Sequence, residues 1–291
     1  MRWETMTTRG DHEADVGALG AVAHMPTVGN LRRANEVLRS MQLTPNVHIR
    51  YLSKPFRQPR IVAVFDAAFG NRWDGYSTGG TLVAVRETHP DEPNTRVDPM
   101  YWSSSKISKM VHSATDAEMA HSPHAIMWAK HIHALLAPMG DAQLTNSRPA
   151  VMMGSDQMAA EVETALSNTI TESRPGHHPP SVYSDCDNFI QICYSLKVAP
   201  KNKDMGRYVT AARDALIRKE IDALVWVAGA ENPADGLTRP GRKSNSQQKQ
   251  LTRAAIQGRM WLPRHTSGGA FVRRKGRTPE KKKEDARRDI Q

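Results

Sequence analysis

Cysteine is almost missing from this chain: only Cys186 and Cys193 occur in 291 residues. They lie seven positions apart, two turns along a helix-like pattern, and fit neither a disulfide framework nor a zinc site. A disulfide-stapled secreted scaffold is therefore excluded, and a reducing intracellular compartment is expected, with nothing to separate cytoplasm from nucleus. Long apolar runs are missing too. None reaches the roughly 18 residues that a membrane span needs, so no membrane partner is expected. The opening stretch, MRWETMTTRGDHEADVG, is polar and mixed in charge, unlike a secretory signal. No internal repeat is visible, which removes solenoids and propellers. What remains is a chain with 39% hydrophobic residues, enough to build one large domain or two modest ones.

The net charge of +10 is unevenly placed. Residues 241–291 hold 15 Lys or Arg against 4 Asp or Glu, while the 240 residues before them hold 25 against 26. The excess sits in a basic tail, of the kind expected to be disordered and to attract polyanions without sequence preference. Arg273, Arg274 and Lys275 are its candidate nucleic-acid contacts; a solubility or targeting tail is the plainer alternative.

Hydrophobic period organises the rest. Residues 1–26 show none and read as loose. TVGNLRRANEVLRSM is amphipathic, with Asn30 as its expected cap. NVHIRYL is a possible short strand, IVAVFDAAF a buried one, and NRWDGYSTGG a turn cluster. GGTLVAVRE and MYWSSSK complete an expected three-stranded antiparallel meander. SATDAEMAHSPHAIMWAKHIHALLAPM reads as a long helix that Pro123 bends or splits. SVYSD and IDALVWVAG are further strands, and DNFIQICYSLK and DMGRYVTAARDALIRKE are helices. This order predicts a layered α/β domain with a mixed sheet.

Four acids occupy comparable places. Asp66 lies inside the first strand, Glu118 in the first turn of the long helix, Asp185 at the end of the fourth strand and Asp235 at the start of a last short helix. Strand ends and neighbouring helix starts can bring such positions together. Four carboxylates at close range repel unless cations lie between them. Hard oxygen ligands in that number suit two Mg²⁺ or Mn²⁺ ions, which can activate water at a phosphodiester. Each acid has a plainer explanation. Glu118 can close a capping box with Thr115, and Asp185, Asp187 or Asp235 can cap a helix. Asp66 is harder to dismiss, because an unpaired acid in an apolar strand is costly.

These motifs together resemble the ribonuclease H domain at the end of copia-type (Pseudoviridae) retrotransposon polyproteins. TVGNLRRANEVLRSMQ looks like the segment joining it to the reverse transcriptase. IVAVFDAAFGN looks like its first strand, YWSSSKISKMVHSATDAEMA its third strand and the helix with the catalytic Glu. SVYSDCDNF looks like the stretch around the third acid, and VWVAGAENPADGLTRP the closing strand with an Ala-Asp-x-Leu-Thr signature. The resemblance implies an α/β, ribonuclease H-like mixed five-stranded sheet with helices on both faces. It implies a connection segment over 27–60, the nuclease domain over 61–240 with an insertion at about 140–180, and the basic tail beyond. It further implies that Asp66, Glu118, Asp185 and Asp235 bind two Mg²⁺ (or Mn²⁺) ions and hydrolyse the RNA strand of an RNA–DNA hybrid.

For the third acid, core-facing residues are expected about four positions on. Phe189 and Ile190 stand at that distance from Asp185, whereas the family's Cys-Asp-Asn version selects Asp187. Asp156 is a weaker contender. The sequence departs from the family in its insertion, in lacking the polymerase before it, and in lacking a His near Asp235. The last departure implies slow turnover, and polyprotein or ribonucleoprotein assembly partners fit such a fragment or recruited protein. Lys106 and Lys109 are candidate phosphate contacts; a solvated face explains them equally. His131 and His133, at i and i+2, point to different helix faces and are not expected to ligate a metal. The alternative function is an inactive fold of this kind that binds nucleic acid without cutting it. An integrase-type nuclease ranks last, since three acids and a different ending characterise that group.

Overall fold

The computed structural model describes residues 2–51, 59–72, 74–87, 94–144, 178–195, 203–241, 246–258 and 261–263. Its sheet is built from β1 (Pro59–Ala68), β2 (Thr78–Glu87), β3 (Asn94–Lys106), β4 (Ser181–Ser184), β5 (Ala223–Trp226) and β6 (Trp261–Pro263), in the order β5-β4-β1-β2-β3-β6. β1, β2 and β3 pair antiparallel, and β4 joins β1 parallel with β5 outside it. The expected meander and the five-stranded mixed sheet are both present; β6 extends the edge by pairing antiparallel with β3. The strands read from VAVF and LVAV runs because both sheet faces are covered, so neither face needs polar alternation.

Odd-numbered β1 residues Ile61, Ala63 and Phe65 pack under α4 (Ala114–Leu144), α5 (Asp187–Tyr194) and α6 (Lys203–Ile217). Even-numbered Val62 and Val64 pack with Leu82 and Trp102 beneath α7 (Asp235–Thr238) and α8 (Gln247–Ile256), whose Leu237, Ala255 and Ile256 close the second core. Helices thus cover both faces. The Gly79–Gly80 pair, where the expected turn cluster and the expected strand GGTLVAVRE overlap, lies inside β2. A Cβ on Gly79 would meet the His121 ring at 2.1 Å, and one on Gly80 would meet Leu237 Cβ at 2.7 Å. Two glycines therefore let α4 and α7 approach one strand from opposite sides. Pro99 is accommodated in β3 by a register shift opposite Val83 and Ala84, which leaves Met100 exposed.

Pro123 does not split α4. Its missing N–H leaves the Met119 carbonyl without its helical donor, and the Ser122 hydroxyl donates to that oxygen at 2.9 Å instead. Residues 2–21, which lack period, nevertheless form α1 (Arg2–Thr7), a 3-10 turn over Gly10–His12 and α2 (Glu13–Ala21). Their order comes from polar contacts rather than an apolar stripe: Asp11 binds Arg9 and Arg253, and Asp15 binds Arg33, the Gly241 amide and Lys249. Helix α3 (Val28–Leu43) starts one turn earlier than Asn30 suggests, because the Thr27 hydroxyl accepts from the Asn30 amide. Residues 47–51 form no strand. Helix α8 and β6 lie within the stretch expected to be a disordered tail; α8 is ordered by burial of Ala255 and Ile256 against the sheet.

Both cysteines are free, and burial pushes the Cys186 thiol to about 11 and the Cys193 thiol to about 12. Trp102 is core, its indole donating to the Thr5 carbonyl at 2.7 Å, and Trp128 stacks on Tyr101. Among the described residues no helix is long and apolar enough to cross a membrane.

Candidate metal centre

Strand β1 carries Asp66 to its C-terminal end on the same face as Val62 and Val64. Parallel β4 ends beside it, and the chain leaves β4 through Asp185. Helix α4 enters from the other side with Glu118 one turn in from its start at Ala114, so the expected first-turn position is shifted into the second turn. One ligand oxygen from each of Asp66, Glu118 and Asp185 lies within 4.8 Å of the others. Asp66 and Glu118 are buried and Asp185 is half-buried.

The capping box that would have accounted for Glu118 does not form. Ser113 caps α4 instead, its hydroxyl accepting from the Asp116 amide at 3.0 Å. Glu118 is left to turn inward, where Oε1 accepts from the Ala67 amide at 2.9 Å and Oε2 from the Ser184 hydroxyl at 3.4 Å. Asp66 Oδ2 accepts a 2.5 Å bond from the Thr238 hydroxyl. Asp185 Oδ1 accepts from the Asn232 side-chain amide at 3.1 Å.

Asn232 is wholly buried, and all its polar capacity is directed at this site. Its amide nitrogen also donates to the Phe65 carbonyl, the residue before Asp66, and its oxygen accepts from the Ala234 amide at 3.0 Å. It therefore ties β1, Asp185 and the start of α7 together. Gly229 lies on the other side of Asp185: a Cβ there would sit 2.8 Å from Asp185 Oδ2. Neither Asn232 nor Gly229 was singled out from sequence. The Asn-Pro before Ala-Asp was the visible signal, since a buried Asn at a turn is worth its place only when its amide is fully used.

Three carboxylates at this range cannot all ionise cheaply. Burial, then the neighbouring Asp185 and Asp235 charges, raise Asp66 to about 6 against the pull of the Thr238 bond. Burial and the charges of Asp66 and Asp185 raise Glu118 well above its ordinary value. Asp185 is raised as well, chiefly by burial. The donor set fits a hard divalent ion: it is oxygen-only, anionic, convergent, and braced by neutral hydroxyls and amides rather than by a cation inside the cluster.

The other predicted residues fall as follows. Asp235 is buried beside the cluster, close enough to raise Asp66, but stands outside the group of three; its carboxylate pairs with Arg239 at 2.9 Å. Asp187 is exposed in the first turn of α5 and accepts from Gln191, while Phe189 and Ile190 are buried, as counting from Asp185 requires. Lys106 pairs with Asp74 at 2.9 Å and lies over the Tyr76 ring, and Lys109 lies 5.5 Å from the Tyr208 ring centre. Arg273, Arg274, Lys275, Asp156 and most of the expected insertion lie outside the described residues.

No family model matches the chain, and no curated protein matches it. Among solved structures it is similar to an RNase H1 from the halophilic archaeon Halobacterium salinarum NRC-1, with 15% identity and a TM-score of 0.33 over 62% of this chain and 94% of that one. It is also similar to LC11-RNase H1 in complex with an RNA/DNA hybrid, with 13% identity, the same TM-score and the same coverage.

Proposed function

We propose that the chain is a divalent-metal-dependent nuclease of the ribonuclease H type, of copia-type retrotransposon descent, acting on the RNA strand of RNA–DNA hybrids. The observation that supports this most is the convergence of Asp66, Glu118 and Asp185 within 4.8 Å, from positions up to 119 residues apart in sequence. The order of motifs along the sequence supports the narrower substrate and descent.

Asp66, Glu118 and Asp185 would hold Mg²⁺ or Mn²⁺, with Asp235 next to them completing a two-ion site. Bound ions of this kind lower the pKa of water and carry charge on a scissile phosphate. The chain's own part is positional. Thr238 holds one oxygen of Asp66 so that the other is directed inward. The Ala67 amide and Ser184 hydroxyl fix Glu118. Asn232 fixes Asp185 relative to β1, and Gly229 leaves it room. Arg239 sits at the lip, half exposed and paired with Asp235, where an incoming phosphate can share it.

The test is incubation of the purified chain with a labelled RNA–DNA hybrid and Mg²⁺. Cleavage that disappears in Asp66→Asn is the expected result. Hybrid binding without cleavage at any Mg²⁺ or Mn²⁺ concentration would leave a binding module and end the enzyme reading.

A further inference from the structure

Two depressions that share part of their lining lie next to the end of β1 that carries the acid cluster. A hollow of about 560 Å³ lies directly beside it, lined by Ala67 and Ala68, which follow Asp66, and by the half-exposed Phe69 and Arg239. Through Asn71, Pro240 and Gly241 it merges with a larger cleft of about 750 Å³. That cleft runs between α2, the first half of α3 and the ends of β2 and β3.

Its walls set polar and cationic side chains against apolar residues at α2, Leu19 and Val22 among them. Thr27, Asn30 and Arg33 line it from α3, at the three-residue spacing that keeps side chains on one helix face. Ser104 and Lys106 line the opposite wall from the end of β3, and Gly17 and Ala18 of α2 contribute a neutral floor between them. The positive end of the 16-residue α3 dipole opens into the same space. The one acid in the lining is Asp15, already held by Arg33, Lys249 and the Gly241 amide. Arg33 and Lys106 are engaged by carboxylates, but Glu36 and Asp74 on the solvent side form surface pairs that a phosphate can replace at little cost. The cleft therefore places the cations Arg33, Arg72 and Lys106 and several donors around an apolar floor from α2, near an acid cluster of the opposite charge.

We infer that this cleft binds the polynucleotide strand that extends from the acid cluster, so that the N-terminal helices α2 and α3 form part of the nucleic-acid surface. The identity of the polymer rests on the nuclease reading above. The phosphates run between Arg33 and Lys106, and the small side chains of α2 let the sugar–phosphate backbone lie close against the helix.

The test measures binding by fluorescence anisotropy of a labelled RNA–DNA hybrid carrying a single-stranded extension, at several salt concentrations, in the full-length chain. Ala18→Glu places a carboxylate on the cleft floor and is expected to weaken binding about tenfold or more. Lys106→Ala is expected to lower the slope of log affinity against log salt by about one, the share of a single phosphate contact. Ile217→Glu adds the same charge as the first variant on exposed α6, away from the cleft, and is expected to bind as wild type. Should Ala18→Glu fail to fold, as its thermal transition would show, Lys106→Ala reads the same surface. Wild-type affinity and salt slope in the cleft variants, or no polynucleotide binding by the wild-type chain, would overturn the cleft assignment. Hybrid cleavage with cleft-independent binding removes this assignment alone, whereas cleft-dependent binding without cleavage removes the nuclease reading alone.

Discussion

Asp11 and Asp15 in the N-terminal helices are as buried as Asp66 and Glu118 at the end of the sheet, yet the two groups are built in opposite ways. Asp11 faces Arg9 and Arg253; Asp15 faces Arg33 and Lys249. Burial alone would raise both carboxyls, but Arg9, His12 and Arg253 around Asp11, and His12, Lys249 and the Gly241 amide around Asp15, hold them below the usual carboxylate range. Asp66, Glu118 and Asp185 face one another, Asp66 and Glu118 sharing a side-chain hydrogen bond and hydroxyls and amides supplying the others, and all three are raised. Burial does not mark a metal site. Burial without a paired cation is the arrangement the proposed metal site needs, since a bound ion would supply the positive charge that the protein does not place there.

The largest effect expected from breaking this contrast is on Asp66. Asp66→Asn keeps an acceptor for Thr238 and removes one ligand charge, so Mg²⁺-dependent hybrid cleavage should fall by about 10³-fold or more, the equivalent of several kcal/mol of metal-borne charge stabilisation. The same variant, free of metal at pH 7, should melt no lower than wild type, since a repelling charge has gone. Next comes the compensated group. Asp15→Ala leaves Lys249 buried without its carboxylate and should cost about 3–5 kcal/mol in denaturant unfolding. A stability close to wild type would show that the N-terminal helices are not locked onto α8 as described.

Asn232→Ala is smaller and sharper. It frees Asp185 from β1 and should weaken Mg²⁺ affinity by about 10- to 100-fold, read as a reduced metal-induced rise in melting temperature. An unchanged metal response would mean that Asp185 does not bind the ion. The smallest effect is in pH. Asp66 is raised in the folded state to about 6, so its contribution to stability is full below its unfolded value near 4 and is lost as pH rises through about 6. Asp11 and Asp15 are lowered, so theirs is full above about 4 and lost as pH falls below it. The stability difference between wild type and Asp66→Asn, both metal-free, should therefore change by about 1–2 kcal/mol between pH 4 and 7 and little beyond. Added Mg²⁺ should abolish that change in the wild type.

The five central strands and the long helix were legible in the sequence, because VAVF, LVAV and ALVW state their burial locally, the 3.6-residue period of α6 states its own, and α4 reads as one long uninterrupted run. The preference for Asp185 over Asp187 rested on the spacing of the resembled fold, in which residues about four positions on face the core, and Phe189 and Ile190 are buried. Helices α1 and α2 were not legible: their order comes from ion pairs with Arg253 and Lys249, more than 230 residues away, and such contacts leave no local period. Thr115–Glu118 looked like a capping box because sequence spacing cannot tell which of Ser113 and Thr115 accepts the amide.

The sequence by itself determined which segments are strands and helices and which acids stand at their ends, because side-chain periodicity is a property of neighbours along the chain. Only the tertiary structure decided which acids meet, which acquire a cation and which are left to share a charge from outside. Those outcomes depend on distances of a few ångströms between residues far apart in sequence, where the low-polarity interior makes each pairing costly to change.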